Sequence, residues 1–199
     1  MRVGILISGR GSNMAALVEA VGAGLVPGAE VALVLSDRAG AAGLEAARSR
    51  GVEAACVERR GRTREEHERE IVGALRARGV EWVCLAGYMR LLSPYFLGEF
   101  AGRVLNIHPS LLPAFPGLDA ARQAVEHGVK ISGCTVHLVD ETLDGGPILV
   151  QRAVPVGDAD TPETLAARIL HEEHLAYPEA LALVAGGRYE VAGRRVVRR

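Results

Sequence analysis

The sequence has almost no asparagine or lysine. Asn13 and Asn106 are its only asparagines, and Lys130 is its one lysine against 22 arginines. Cysteine is scarce as well. Cys56, Cys84 and Cys134 are odd in number and widely spaced, which excludes a disulfide framework or a zinc cluster. Cys84 and Cys134 fall in apolar, strand-like runs, as buried structural thiols do. No apolar run approaches ~18 residues, so no membrane span is expected. The opening Met1-Arg2-Val3-Gly4-Ile5-Leu6-Ile7 is too short an apolar run for a signal peptide, and Gly9-Arg10-Gly11 follows at once; it reads as a buried first strand. A formal net charge of −1 offers no electrostatic case for nucleic acid or a membrane surface as partner. Small molecules and a cytoplasmic location are expected instead. The arginine-rich, Asn/Gln-poor composition suits a high-GC genome or a thermophile alike.

The chain of 199 residues suits one α/β domain with a sizeable apolar core, with no repeat, low-complexity tract or linker. Continuous apolar runs at 3–8, 31–36, 52–57 and 81–86 read as strands of a parallel sheet buried on both faces. Helices are expected between them, at 12–23, 41–49 and 64–78. Thr63 is placed to cap the last of these, with Glu65 and Glu66 complementing its dipole. Beyond residue 94 a short helix, a strand from Val104, an alternating strand over 130–139 and another over 147–155 follow. The 130–139 strand alternates as an antiparallel one would. Thr161 and Pro162 open a long helix to about Val184, and Arg188 onward reads as a terminal hairpin. We expect a Rossmann-like, phosphate-binding half over 1–105 and a second half over 106–199 holding the catalytic loop, mixed strands, long helix and hairpin.

The informative stretch is Val104-Leu105-Asn106-Ile107-His108-Pro109-Ser110-Leu111-Leu112-Pro113. Strand alternation puts Asn106 and His108 on one face, and the prolines end regular structure. An amide and an imidazole thus share the C-terminal end of a strand, where open α/β sheets bind ligands. The amide can donate to a developing oxyanion and the imidazole can move a proton near neutral pH. An acidic side chain in the Leu143-Asp144-Gly145-Gly146-Pro147 turn is placed to orient His108. A loop-capping role for the Asn-x-His pair is the plainer alternative.

Three further segments draw attention. Gly9-Arg10-Gly11-Ser12-Asn13 is a turn from strand into helix, suited to a phosphate or simply to a tight connection. It is not a dinucleotide fingerprint, because Met14 stands where a third small residue is wanted. Gly87–Pro94 is an apolar loop with one arginine, fit either to line a pocket for a flat heterocycle or to be core. His171, Glu173 and His174 share a helix but have no third ligand in reach, so no metal is expected. His137 reads as a structural strand histidine.

Taken together, Asn106-x-His108-Pro-Ser-Leu-Leu-Pro113, the Leu-Asp144-Gly-Gly-Pro turn and Ile7-Ser-Gly-Arg-Gly-Ser-Asn13 resemble the folate-dependent formyltransferase family. They are most similar to its purine-biosynthetic branch, which formylates glycinamide ribonucleotide, and the likeness runs from Arg2 to about Pro178. The resemblance implies transfer of the formyl group of 10-formyltetrahydrofolate, as co-substrate, to the ribonucleotide amine, with no metal. It implies Asn106, His108 and Asp144 as catalytic residues, and Gly11, Ser12, Asn13 and Glu173 on the phosphoribosyl substrate. The folate would lie on Arg64, Met89, Arg90, Leu91, Leu92, Asn106, Val139, Asp140 and Asp144. A cis peptide at Leu112–Pro113 and a monomer or homodimer are also implied. Asp119 and Leu170 depart from the family, which often has His and a polar residue such as Gln there.

Two other folate formyl users would share Asn106, His108 and Asp144: a methionyl-tRNA formyltransferase, with an added C-terminal tRNA-binding domain, and a formyltetrahydrofolate hydrolase, with an added N-terminal regulatory domain. A chain running from first strand to hairpin is expected to hold neither. A non-catalytic nucleotide- or folate-binding module is the rival of another class.

Overall fold

The computed structural model describes residues 1–199 as one nine-stranded mixed sheet flanked by helices on both faces. In chain order the elements are β1 (Arg2–Ile7), α1 (Ser12–Gly22), β2 (Glu30–Ser36), α2 (Ala42–Arg48), β3 (Ala54–Cys56), α3 (Arg64–Ala77), β4 (Trp82–Leu85) and α4 (Pro94–Glu99). They continue with β5 (Val104–His108), α5 (Ala120–Glu126), β6 (Ile131–Leu138), β7 (Ile148–Pro155), α6 (Pro162–Ala185), β8 (Tyr189–Ala192) and β9 (Arg195–Arg198). The strand order is β3-β2-β1-β4-β5-β6-β7-β9-β8. β1 to β5 are mutually parallel, and β6 runs antiparallel to both β5 and β7.

The local signals act where they stand. Val3, Ile5, Leu6 and Ile7 are wholly buried, as a strand covered on both faces requires. Thr63 caps α3 with a reciprocal bond from its own backbone to the Glu66 carboxylate, and Thr161 caps α6 in the same way with Thr164. β3 is shorter than the apolar run 52–57 suggests. It pairs only with β2, over Ala54–Cys56, and as an edge strand it has no second neighbour to extend it.

Two apolar layers sandwich the sheet. On one side α1, α5 and α6 pack against β1, β5, β6 and β7 around Met14, Leu17, Leu105, Ile169 and Tyr177. On the other, α3 and α4 cover β1, β2 and β4 around Leu6, Leu33, Ile71, Leu75 and Phe96. Tyr177 ties the layers to the site. Its hydroxyl, with no exposed surface, lies 3.0 Å from the Leu85 carbonyl and 3.1 Å from that of Leu105, so α6 is anchored to the last residue of β4 and to β5 just before Asn106. The chain turns from leftward to rightward growth between β1 and β4, the position at which open α/β sheets hold ligands.

Candidate active site

β5 carries Asn106 and His108 to its C-terminal end, and the antiparallel register sets Asn106 opposite His137 and His108 opposite Thr135. The Asn106 amide nitrogen lies 3.2 Å from His137 Nε2. His137 Nδ1 lies 2.8 Å from the Leu138 carbonyl, which can only accept. Nδ1 therefore carries the hydrogen, and Nε2 is left to accept from the Asn106 amide. Burial lowers the His137 pKa, which favours the neutral ring. This pairing orients the Asn106 amide and leaves its second N–H for another acceptor.

Asp144 stands between the two imidazoles. It occupies the turn from β6 to β7 in the left-handed region, with φ 49°. One carboxylate oxygen lies 3.4 Å from His108 Nδ1 and accepts from the Gly117 amide at 2.8 Å. The other lies 3.8 Å from His137 Nε2. The turn fits because of Gly146: a Cβ there would sit 1.9 Å from the Leu138 carbonyl oxygen. His108 is buried, and its Nε2 lies 2.8 Å from the Phe115 carbonyl. Both ring nitrogens thus face acceptors.

The loop after His108 is braced from below. The Thr135 hydroxyl donates to the Ser110 carbonyl at 2.7 Å and accepts from the Leu112 amide at 3.0 Å. Gln151 Nε2 donates to the Leu112 carbonyl at 2.9 Å and to Thr135 Oγ1 at 3.0 Å. The Leu112–Pro113 bond is cis, as the resemblance implied.

A second cluster forms at the end of β1. Gly11 takes φ 77° and is packed so that a Cβ would meet Gly43 Cα at 2.9 Å; only glycine suits both conditions. Gly11 caps α1, whose first N–H groups at Ser12 and Asn13 have no acceptor within the helix. The buried Asn13 amide nitrogen donates to Glu173 at 2.7 Å, across 160 positions of sequence, while its Oδ1 has no partner. Burial raises the Glu173 pKa, offset in part by the Asn13 bond and by the charge of His108. A cavity of about 400 Å³ opens beside this loop, lined by Ser8, Arg10, Arg38 and Ala41 among others.

A third group lies past β4, next to the Asn106 strand. Met89 and Leu91 are each 58% exposed, large apolar side chains on the surface. Arg90 and Leu92 are half-buried. The Met89 amide donates to the Ser8 hydroxyl at 3.0 Å, which joins this segment to the end of β1. Ser93 closes the segment by donating to Glu68 of α3 through both its amide and its hydroxyl. Arg64 is exposed one turn before Glu68, on the same face of α3. Val139 donates to the Val104 carbonyl at 2.9 Å, and exposed Asp140 accepts from Thr142, so both lie on the path from β6 to Asp144.

Apart from Arg64 at the start of α3 and Glu173 on α6, the expected residues follow or end β1, β4, β5 and β6. Asn106, His108 and Asp144 meet directly, as do Asn13 and Glu173. His137, read from the sequence as a structural strand residue, instead adjoins Asn106 and Asp144. The one signal for it was its place on the strand leading to Asp144. No group of three His, Cys, Asp or Glu side chains is arranged to hold a metal ion. Asp119, at φ 55°, is exposed and caps α5 without a side-chain bond, and Leu170 is half-buried on α6.

A family model described as formyl transferase matches residues 1–181. The chain belongs to the formyl transferase family. Its relatives in that family include the phosphoribosylglycinamide formyltransferase of Escherichia coli (strain K12), 41% identical over 96% of this chain and 90% of that one. The crystal structure of glycinamide ribonucleotide transformylase 1 from Symbiobacterium toebii is 52% identical and superposes with a TM-score of 0.97, covering 100% of this chain and 93% of that one. The trifunctional purine biosynthetic protein adenosine-3 of Drosophila pseudoobscura pseudoobscura is 48% identical over 94% of this chain, which spans only 14% of that protein's length.

Proposed function

We propose that the chain transfers the formyl group of 10-formyltetrahydrofolate to the primary amine of N1-(5-phospho-D-ribosyl)glycinamide. The products are formylglycinamide ribonucleotide and tetrahydrofolate, and the reaction is a step of de novo purine biosynthesis. The observation that carries this reading is the meeting of Asn106, His108 and Asp144, with Glu173, bonded to Asn13 of the Gly11–Asn13 turn, within electrostatic reach of His108. An oxyanion donor and a proton carrier thus adjoin a phosphate-type turn. Likeness to the named formyltransferases supports the same reading.

In this mechanism the amine attacks the formyl carbon. A C–N bond to the ribonucleotide forms, the bond to folate N10 breaks, and the proton lost by the amine ends on N10. The free N–H of the Asn106 amide donates to the tetrahedral oxyanion, its other N–H being spent on His137. His108 carries the proton and is oriented by Asp144 at Nδ1. The Phe115 carbonyl must yield Nε2 before that atom can serve the substrate. Gly11, Ser12 and Asn13 bind the phosphate, and Glu173 holds the ribosyl part. Arg64, Met89 to Leu92, Val139 and Asp140 hold the folate. Residues 1–105 supply the phosphate turn and residues 106–199 the catalytic loop, within one domain. The enzyme acts in the cytoplasm on small molecules without nucleic acid, as a monomer or homodimer.

The test follows absorbance of 10-formyl-5,8-dideazafolate with purified protein. Deformylated folate should appear only when the ribonucleotide is present, and His108→Ala should lower kcat by roughly 10²–10⁴ with circular dichroism unchanged. Near-wild-type turnover by folded His108→Ala protein would remove His108 from the chemistry. Release without the acceptor would instead mark a hydrolase, and binding without release a non-catalytic module.

A further inference from the structure

The buried face of α3 changes character along its length. His67, Glu68, Ile71, Val72 and Leu75 are its buried residues. The last three belong to the apolar layer that also holds Leu6, Leu33 and Phe96. The first two are polar, in the turn where that stripe would continue with apolar side chains. His67 is 1% exposed and Glu68 2%. A carboxyl group so deeply buried costs stability unless its oxygens are bonded. Neither residue takes part in the chemistry proposed for the site.

Each holds α3 to a different piece of the chain. His67 Nε2 lies 2.6 Å from the Val57 carbonyl, just beyond β3, and donates to it. The Glu68 carboxylate accepts from the Ser93 amide at 2.9 Å with one oxygen and from the Ser93 hydroxyl with the other. Ser93 in turn caps α4, its hydroxyl accepting from the Phe96 amide. The start of α3 is thus fixed to the sheet on one side and to the end of the Gly87–Ser93 segment on the other.

That segment has few bonds of its own. From Tyr88 to Leu92 no backbone group is bonded to another backbone group. Three attachments fix it: the Met89 amide on the Ser8 hydroxyl, the Tyr88 ring in the apolar layer of α3 and α4, and Ser93 on Glu68. The Glu68 bonds are the directional link between this segment and α3. Arg64 lies one turn before Glu68 on the same helix face, so the Glu68–Ser93 pair sets how far Arg64 stands from residues 89–92.

We infer that Glu68 is a positioning residue for the co-substrate: through Ser93 it holds the Met89–Leu92 segment at a fixed distance from Arg64, so that both sides of the folate pocket are formed before the folate arrives. This inference rests on the folate reading of the site. A pocket already held in its binding shape spares the ligand the cost of ordering a loop. The loss of Glu68 therefore falls on folate binding and not on the bond changes.

Steady-state kinetics of Glu68→Ala, Glu68→Gln, Ser93→Ala and Ser93→Thr, with 10-formyl-5,8-dideazafolate and the ribonucleotide, test this. Glu68→Ala should raise the KM for the dideazafolate about tenfold and Ser93→Ala about threefold, with kcat and the ribonucleotide KM within about twofold of wild type. Glu68→Gln meets the Ser93 amide with its oxygen and the hydroxyl with its nitrogen, and Ser93→Thr keeps the hydroxyl; both should stay near wild type. The Glu68→Ala/Ser93→Ala double variant should be no worse than Glu68→Ala alone, because one link is removed in both. Ile71→Val trims the same apolar layer without touching Ser93, and should lower Tm while leaving the folate KM unchanged. A folate KM unmoved in Glu68→Ala and Ser93→Ala, equal rises in the KM of both substrates, or a rise of the same size in Ile71→Val overturns the positioning role. If Glu68→Ala does not fold, the two Ser93 variants decide on the same criteria, and where there is binding without turnover calorimetric Kd values replace KM. Failure of the folate reading shows separately, as wild type that does not bind the dideazafolate at all, and the positioning role then falls with it.

Discussion

Asn106 and His137 stand opposite each other across the β5–β6 pair, with the Asn106 amide nitrogen 3.2 Å from His137 Nε2. The imidazole is fixed by the Leu138 carbonyl, so it holds in one orientation the amide proposed as the oxyanion donor. His137→Gln should lower kcat by roughly 10- to 100-fold, the effect of about 1–3 kcal/mol for a buried polar contact, while both KM values change little. A fall confined to KM would remove the positioning role. The pH dependence of stability gives a second readout. A histidine whose folded pKa is lowered contributes stability that is present above about pH 6.5 and lost as pH falls through the folded value. Acid unfolding of His137→Gln should accordingly begin at lower pH than that of wild type.

Glu173 has the opposite sign. Burial raises its folded pKa, so its contribution is present below about pH 4.5 and is lost as pH rises through the folded value. Glu173→Gln can still accept from the Asn13 amide but carries no charge. Its Tm at pH 8 should exceed that of wild type by roughly 2–4 °C, the shift about 1 kcal/mol produces in a chain of this size. The difference should vanish toward pH 4, and the KM for the ribonucleotide should rise. Parallel pH–stability curves for the two proteins would show that the buried carboxylate is not titrating as described.

Thr135 braces the loop that leaves His108. Thr135→Val keeps the volume but strips the Leu112 amide, the Ser110 carbonyl and Gln151 of a shared partner in a buried position. We expect kcat to fall about tenfold or more with unchanged circular dichroism, and Thr135→Ser to restore it, since the serine hydroxyl reaches the same atoms. A loss in Thr135→Ser with none in Thr135→Val would assign the effect to packing of the methyl group.

Tyr177→Phe tests the anchor of α6 to β4 and β5. The ring stays and the hydroxyl bonds to Leu85 and Leu105 go. A loss of about 1 kcal/mol, read as a Tm lower by roughly 2–4 °C in thermal unfolding, is expected. An unchanged Tm would mean that water satisfies both carbonyls equally well.

What could be read in advance was local. Strand alternation put Asn106 and His108 on one face, and Thr63 and Thr161 announced α3 and α6 because caps act within one helical turn. The alternation over 130–139 marked β6 as a strand, since side chains alternate with a period of two, while its antiparallel direction comes from docking on β5 and β7, which leaves both of its faces buried. The segment 52–57 was read too long because apolar composition says nothing of how many neighbours a strand will have; β3 found only β2.

What could not be read was pairing between distant segments. Nothing near His137 reports that it will face Asn106, because register is set only when β5 and β6 dock and bury their shared face. The Asn13–Glu173 bond spans 160 positions and exists because α6 packs over α1. The sequence by itself determined the element types, the caps and the side chains with acid-base and hydrogen-bonding capacity at strand ends, for these depend on side-chain type and short spacing. Only the tertiary structure decided which of them touch, and that His137 adjoins Asn106 and Asp144, because those facts arise from strand order and the burial of the faces between the strands.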